Sequence, residues 1–477
     1  MRQLTGLDAA FLALDSATVY GHVGSVSILD PPESGPPLTL DRLTELVTSR
    51  LHLAPPFRRR LAEVPLGLDQ PYWIEDPHFD IEFHVRELAL PAPGDDRQLA
   101  IQAARLHARP LDRSRPLWEM YLIHGLAGDR QAVYTKFHHA AIDGVSGNDL
   151  LVALLDTSPT GSDADEPPAW HPEAEPSAAQ LLTRTVLSLA RHPVRAARVS
   201  TQLLGSLPML ATSPARPRLP LIDRLLPRRG RGVVLSAPPL RAPATPFNKK
   251  IGPHRRWAFG SLPLSEVKEI KNAAAVTIND VVMALCAGAL RTWLRDHDAL
   301  PEGPLLAAVP VSIRTEEQKN TQGNRVSSVI ALLPTHLAEP GARLAAVHDS
   351  MRAAKEQFNA LPADLLTDIA QFSMPALANQ ANRLASRLRL LERVPPFNLF
   401  VSNVPGPTVE LYMGGAHLDA VYPMSAIADG MGLNITVLGS AGKLNFGILA
   451  DRDLVPDVDA MMHALVDELP CLHKAVS

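Results

Sequence analysis

Residues 156–256 break an otherwise evenly mixed chain, and no other feature limits its possible folds as strongly. The stretch opens Asp156-Thr157-Ser158-Pro159-Thr160-Gly161-Ser162-Asp163-Ala164-Asp165-Glu166-Pro167-Pro168. That acidic, proline-rich run has too little apolar surface to bury and reads as a linker to about Pro176. From Ser177 to Arg256 the charge reverses: 15 Lys and Arg stand against the single acidic Asp223, a balance of +14, while the rest of the chain carries −18. A net charge of −4 hides this asymmetry. With 477 residues and 46% hydrophobic residues, there is material for two large cores, which excludes gross disorder and fibrous folds. The expected organisation is an N-terminal half over 1–155, a linker and basic crossover over 156–256, and a C-terminal half over 257–477.

Strands and helices alternate on both sides of the break. Period-two apolar positions predict strands at 24–29 and 132–137, and helices are expected at 40–51 and 97–106. Beyond the crossover, Ser265 opens a helix. Thr277, with Asp280 three residues on, caps a longer one running to Arg295. Strands follow at 305–313, 326–333, 398–402, 434–438 and 444–449, with helices at 342–358 and 362–387. Gly439-Ser440-Ala441-Gly442 is a hairpin signal between the last two strands. The expected class is mixed α/β with mixed sheets.

Near-balanced total charge argues against a nucleic-acid binder, and the basic crossover lacks interleaved aromatics. Two cysteines, Cys286 and Cys471, cannot form a disulfide framework or a four-thiolate metal site, which fits a reducing, intracellular setting. Asp8 and Asp15 interrupt the N-terminus before any signal-like apolar run. The best uncharged apolar run, 281–290, is too short to span a bilayer. These features predict a soluble or peripheral protein.

The residues that carry chemistry lie at Phe137-His138-His139-Ala140-Ala141-Ile142-Asp143-Gly144. A strand-like run ends in two histidines, and Gly144 permits a sharp turn. Neighbouring strand residues point to opposite faces, so one histidine at most faces a given cleft. An imidazole is the usual choice for moving a proton near neutral pH. His139 and Asp143 lack a spaced third ligand nearby, so no metal is expected. No Gly-x-Ser-x-Gly nucleophile turn exists.

The full pattern resembles the His-His-x-x-x-Asp-Gly acyltransferase superfamily. Within it, the chain resembles the bacterial wax ester synthase/diacylglycerol acyltransferase family. The narrower resemblance rests on Leu7-Asp8-Ala9-Ala10-Phe11-Leu12, Arg115-Pro116-Leu117-Trp118-Glu119, Thr277-Ile278-Asn279-Asp280, Val309-Pro310-Val311-Ser312-Ile313-Arg314 with Gly323-Asn324, and Ser402-Asn403-Val404-Pro405-Gly406-Pro407. It implies two chloramphenicol-acetyltransferase-like lobes with an active-site tunnel between them. It makes His139 the general base, His138 a supporting residue, and Asp143, with Gly144, a structural part of the motif loop, Arg58 being the candidate partner of Asp143. Asn279, Ser402 and Asn403 become candidates for substrate or oxyanion contact, and Trp118 is expected in the core. The implied reaction is acyl transfer from acyl-CoA to diacylglycerol, or to a long-chain alcohol, with no cofactor beyond the acyl-CoA co-substrate.

Two other functions fit the motif less well. A superfamily enzyme using a carrier-protein thioester conflicts with the Pro-Leu-Trp and Asn-Asp segments, and a silent lipid-droplet binding protein conflicts with an intact His139 and Asp143. Residues 181–210 mix arginines with Leu and Val at helix-compatible spacing. Given lipid substrates, an anionic membrane or droplet surface is the expected partner, with a cytoplasmic, peripheral location, the alternative being that the basic crossover docks onto the acidic lobes.

Overall fold

A computed structural model describes residues 1–31, 35–65, 69–141, 154–160, 170, 172, 174–184, 242–312, 326–359 and 395–477. Asp143, Gly144, most of the basic crossover and the helix expected at 362–387 lie outside the described residues.

The first half runs β1 (Arg2–Gln3), α1 (Gly6–Leu14), β2 (His22–Leu29), α2 (Leu40–Arg50), β3 (Arg59–Ala62), β4 (Tyr72–Glu75), α3 (Ile81–His84), β5 (Val85–Ala89), α4 (Asp96–His107), β6 (Trp118–His124) and β7 (Gln131–His138). The second half runs β8 (Arg255–Pro263), α5 (Leu264–Ala273), α6 (Ile278–Asp296), β9 (Leu305–Ser312), β10 (Val326–Leu333), α7 (Pro340–Asn359), β11 (Leu399–Pro405), β12 (Tyr412–Met413), β13 (Ala416–Met424), β14 (Leu433–Ser440), β15 (Lys443–Asp451) and α8 (Val458–Val476). Helix starts follow their sequence signals. Thr5 with Asp8, Asp95 with Gln98, and Thr277 with Asp280 each close a reciprocal capping box.

Among the described residues, two six-stranded mixed sheets organise the fold. One has the order β12-β13-β2-β7-β6-β5, the other β10-β9-β11-β14-β15-β8, and a small three-stranded sheet orders β1-β4-β3. Strands β12 and β13 come from the C-terminal half of the sequence, yet β13 pairs antiparallel with β2, Met424 opposite Gly24. Sheet membership therefore does not follow the division of the sequence at residue 257. The reason is an edge: β2 would otherwise leave a row of backbone donors and acceptors unpaired, and β13 covers it.

Each face of the first sheet is covered. Val133 and Phe137 of β7 pack with Leu43 and Val47 of α2, while Ala132 and Tyr134 pack with Leu99 and Ala103 of α4 and with Trp257 and Leu449 of the second half. In the second half, α6 is buried along 280–290 between its sheet and α7 and α8. Cys286, fully buried there, has its thiol pushed up to about 12 by burial. Among the described residues, no single helix is long and apolar enough to cross a membrane.

The two sheets meet through β13. Gly447 of β15 has no Cβ, and one placed there would run into the carbonyl oxygen of Pro423. The Trp257 Nε1–H donates to that same oxygen at 3.3 Å, and Ser261 Oγ lies 3.0 Å from the Tyr422 hydroxyl. The ends of the crossover are tied to the folded body as well. Leu181 is buried against Ala62, Val64, Tyr72 and Ile74, and Arg255 donates to the Thr18 carbonyl at 2.5 Å.

Candidate active site

Strand β7 delivers both histidines to one end of the first sheet. His138 continues the row that faces α4 and is 2% exposed, whereas His139, just past the strand, is half-buried. The Ala140 backbone N–H donates to His138 Nδ1 at 3.1 Å. That nitrogen is therefore unprotonated, so the ring proton sits on Nε2, which faces Asp15 Oδ2 at 3.0 Å. His139 is held differently: its backbone N–H donates to the Gly21 carbonyl at 2.7 Å, and its ring stacks on Phe11 with centroids 4.1 Å apart.

Helix α1 and the turn after it thus contact both histidines. Asp15, the C-cap residue of α1, also accepts from Gly21 N–H at 2.8 Å and from Arg113 Nη2 at 3.0 Å. Burial pushes the Asp15 carboxyl up, but the hydrogen bonds from His138, Gly21 and Arg113 outweigh it and hold the group below its ordinary range. Behind His138, a buried polar row continues. His107 Nδ1 lies 3.0 Å from the Tyr134 hydroxyl, and Lys136 Nζ pairs with Glu119 at 3.1 Å while donating to the carbonyls of Leu106 and Arg109. Burial and the Lys136 charge push His22 and His107 well below the ordinary histidine range, so both rings are neutral.

Asn279 and Asn403 come together in the second half, the Asn403 Nδ2–H donating to Asn279 Oδ1 at 3.4 Å. Asn279 sits in the first turn of α6 beside the Thr277 cap, and Ser402 and Asn403 lie on β11. Asp280 is buried and accepts from Thr277 N–H at 2.9 Å, with His348 Nδ1 also at 2.9 Å. Trp118 lies in the core as expected, stacked on His84 at 4.4 Å and donating to the Phe57 carbonyl. Arg58 has its guanidinium 5.0 Å over the Trp170 ring. The pairing expected between Arg58 and Asp143 lies outside the described residues.

Asp15, Arg113 and Phe11 were not legible as site residues in the sequence. One signal was present for Asp15: a carboxylate at the C-terminal end of a helix is disfavoured by the helix dipole. An aspartate there needs another partner, and His138 and Arg113 supply it.

A sequence model described as the wax ester synthase/diacylglycerol acyltransferase catalytic domain matches residues 4–282, and the corresponding C-terminal domain matches residues 322–473. The chain belongs to the wax ester synthase/diacylglycerol acyltransferase family. A putative diacylglycerol O-acyltransferase of Mycobacterium bovis is 38% identical over 474 residues, 98% of each chain. An O-acyltransferase named WSD from Acinetobacter baylyi is 33% identical over 481 residues, covering 100% of this chain and 98% of that one. Among solved structures, the wax ester synthase/diacylglycerol acyltransferase of Marinobacter aquaeolei VT8 aligns with a TM-score of 0.70 and 31% identity over 99% of both chains. The starter condensation domain of rhizomide synthetase shares the two-lobe fold, with a TM-score of 0.54 and 14% identity. This member of the wax ester synthase/diacylglycerol acyltransferase family is an acyltransferase, and its architecture is the mixed α/β, two-lobe one.

Proposed function

We propose that this enzyme esterifies diacylglycerol with acyl-CoA, giving triacylglycerol, and accepts long-chain alcohols as alternative acceptors, with His139 as the general base. One observation carries the assignment of the base. The Nδ1 lone pair of His138 takes the Ala140 N–H and its Nε2–H points at Asp15, so His138 has no lone pair for a substrate proton. His139, half-buried beside it, is the other histidine of the motif. His139 removes the proton from the acceptor hydroxyl as that oxygen attacks the thioester carbonyl carbon. The tetrahedral oxyanion collapses, the carbon–sulfur bond breaks, and the proton passes from His139 to the coenzyme A sulfur. Asn279, Ser402 and Asn403 are the candidates for stabilising the oxyanion, in a tunnel between the lobes. No cofactor enters this chemistry, acyl-CoA being a substrate.

His139→Ala is expected to lower turnover of labelled palmitoyl-CoA and diacylglycerol by at least about 100-fold with the melting temperature retained, as loss of a general base requires. Near-normal turnover would remove His139 from the mechanism. Because acceptor and product are nearly insoluble in water, the reading extends to docking at an anionic membrane or droplet surface through the basic crossover, at a cytoplasmic, peripheral location.

A further inference from the structure

We infer that Asp15 and Phe11 are positioning residues for His139, acting from the C-terminal turn of α1: Asp15 locks His138 in one tautomer, and Phe11 sets the plane of the His139 ring. The inference rests on His139 as the base. Three contacts converge on the Asp15 carboxylate. Oδ1 takes the Gly21 N–H at 2.8 Å, and Oδ2 takes Arg113 Nη2 and His138 Nε2–H, each at 3.0 Å. Two of the three groups it holds, Gly21 and His138, lead directly to His139. The Gly21 carbonyl accepts the His139 N–H at 2.7 Å, and His138 Nδ1 accepts the N–H of Ala140, the residue after His139. Space at Gly21 is tight as well, because a Cβ there would lie 3.0 Å from His138 Cε1. Phe11, four residues before Asp15 and so on the same helical face, stacks on the His139 ring at 4.1 Å with an interplanar angle of 13°. Arg113 ties the arrangement to the helix, donating at 2.7 Å to the Leu12 carbonyl.

Tautomer and turn are linked. If the proton on His138 moved from Nε2 to Nδ1, the Ala140 N–H would lose its acceptor and the turn carrying His139 would lose a fixed point. Asp15→Asn produces that conflict: the amide retains an acceptor for Gly21 but presents an NH2 group to His138 Nε2 or to Arg113. The expected result is a fall in kcat of about 10- to 100-fold, the scale of misplacing a catalytic group by about an ångström. KM for acyl-CoA is expected to stay within about twofold, with kcat partly restored in Asp15→Glu, because substrate binding is not what the carboxylate supplies. The tautomer is read separately in the wild-type enzyme by ¹⁵N spectroscopy of histidine-labelled protein at pH 7.5, with the His138 signal assigned by its loss in His138→Gln. An Nε2–H ring with a bare Nδ1 supports the inference. An Nδ1–H ring, or an Asp15→Asn enzyme with wild-type kcat, overturns it. The spectroscopic result decides even if Asp15→Asn does not fold. Failure of the general-base reading shows elsewhere, as turnover surviving in His139→Ala while the His138 tautomer is unchanged.

Discussion

At the scale of single residues, the polar interior of the first half is tuned by which histidines can take a charge. His84 is fully buried between Trp118 and Phe79, its Nδ1–H donating to the Trp118 carbonyl at 2.8 Å. Burial, opposed in part by that hydrogen bond, pushes it down to about 4. A histidine near 6.5 in the unfolded chain therefore binds its proton before the folded one does, and stability falls as pH drops from about 6.5 towards 4, then levels off. The gap corresponds to about 3 kcal/mol for this residue, and His22 and His107 act in the same direction. His84→Phe keeps the aromatic stack. It is expected to flatten the loss of unfolding free energy between pH 6.5 and 4 by that amount, with a pH-independent offset from the lost hydrogen bond. Urea titrations at a series of pH values measure this, and parallel wild-type and variant curves would refute it.

Among the elements, the contact between β13 and β15 sets how the two sheets sit. Backbone approaches backbone at Gly447 and Pro423, and neither side can yield as a flexible side chain could. Gly447→Ala is expected to destabilise the fold by about 3 kcal/mol, at the upper end of overpacking costs. Gly303, which has nothing within 4 Å of a built Cβ, is the control, and Gly303→Ala should stay within about 0.5 kcal/mol. Equal urea midpoints for the two variants would show that β13 and β15 separate freely. Strands of this region were only partly readable beforehand. β14 and β15 announce themselves by alternation around a hairpin whose turn residues Ala441 and Gly442 both have positive φ, 44° and 77°. β13 alternates apolar and polar residues over 416–420, which is a strand signal, but the proline at position 423 argues against a paired strand continuing there.

For the whole molecule, the charge asymmetry is the feature with a functional consequence still to be measured. Where the basic stretch is described, at its two ends, it is partly held by protein: Leu181 is buried against the small sheet and Arg255 donates to the Thr18 carbonyl, while Arg184, Lys249 and Lys250 are exposed. Arg224, Arg228, Arg229 and Arg231 belong to the part outside the described residues. Each cation near an anionic surface contributes up to about 1 kcal/mol, so a few suffice for salt-sensitive recruitment. Replacing these four by Gln is expected to weaken co-sedimentation with anionic vesicles while turnover of detergent-dispersed substrate persists. Unchanged vesicle binding would assign the arginines to clamping the lobes.

Local chemistry determined what the sequence could tell by itself. Capping boxes at Thr277 and Asp95, alternation in β2 and β7, and the His-His-x-x-x-Asp-Gly run are short-range patterns, and so the mixed α/β class and the histidine pair could be read directly. Tertiary structure alone decided the rest. That β13 completes the sheet of the opposite half follows from an unpaired edge and a close approach at Gly447, two facts set by residues far apart in the chain. Which nitrogen of His138 carries the proton depends on Asp15, 123 positions away, and on an N–H placed by the turn at Ala140. Residue type supplies an imidazole, but its protonation pattern comes from partners that only the folded chain brings within hydrogen-bonding distance.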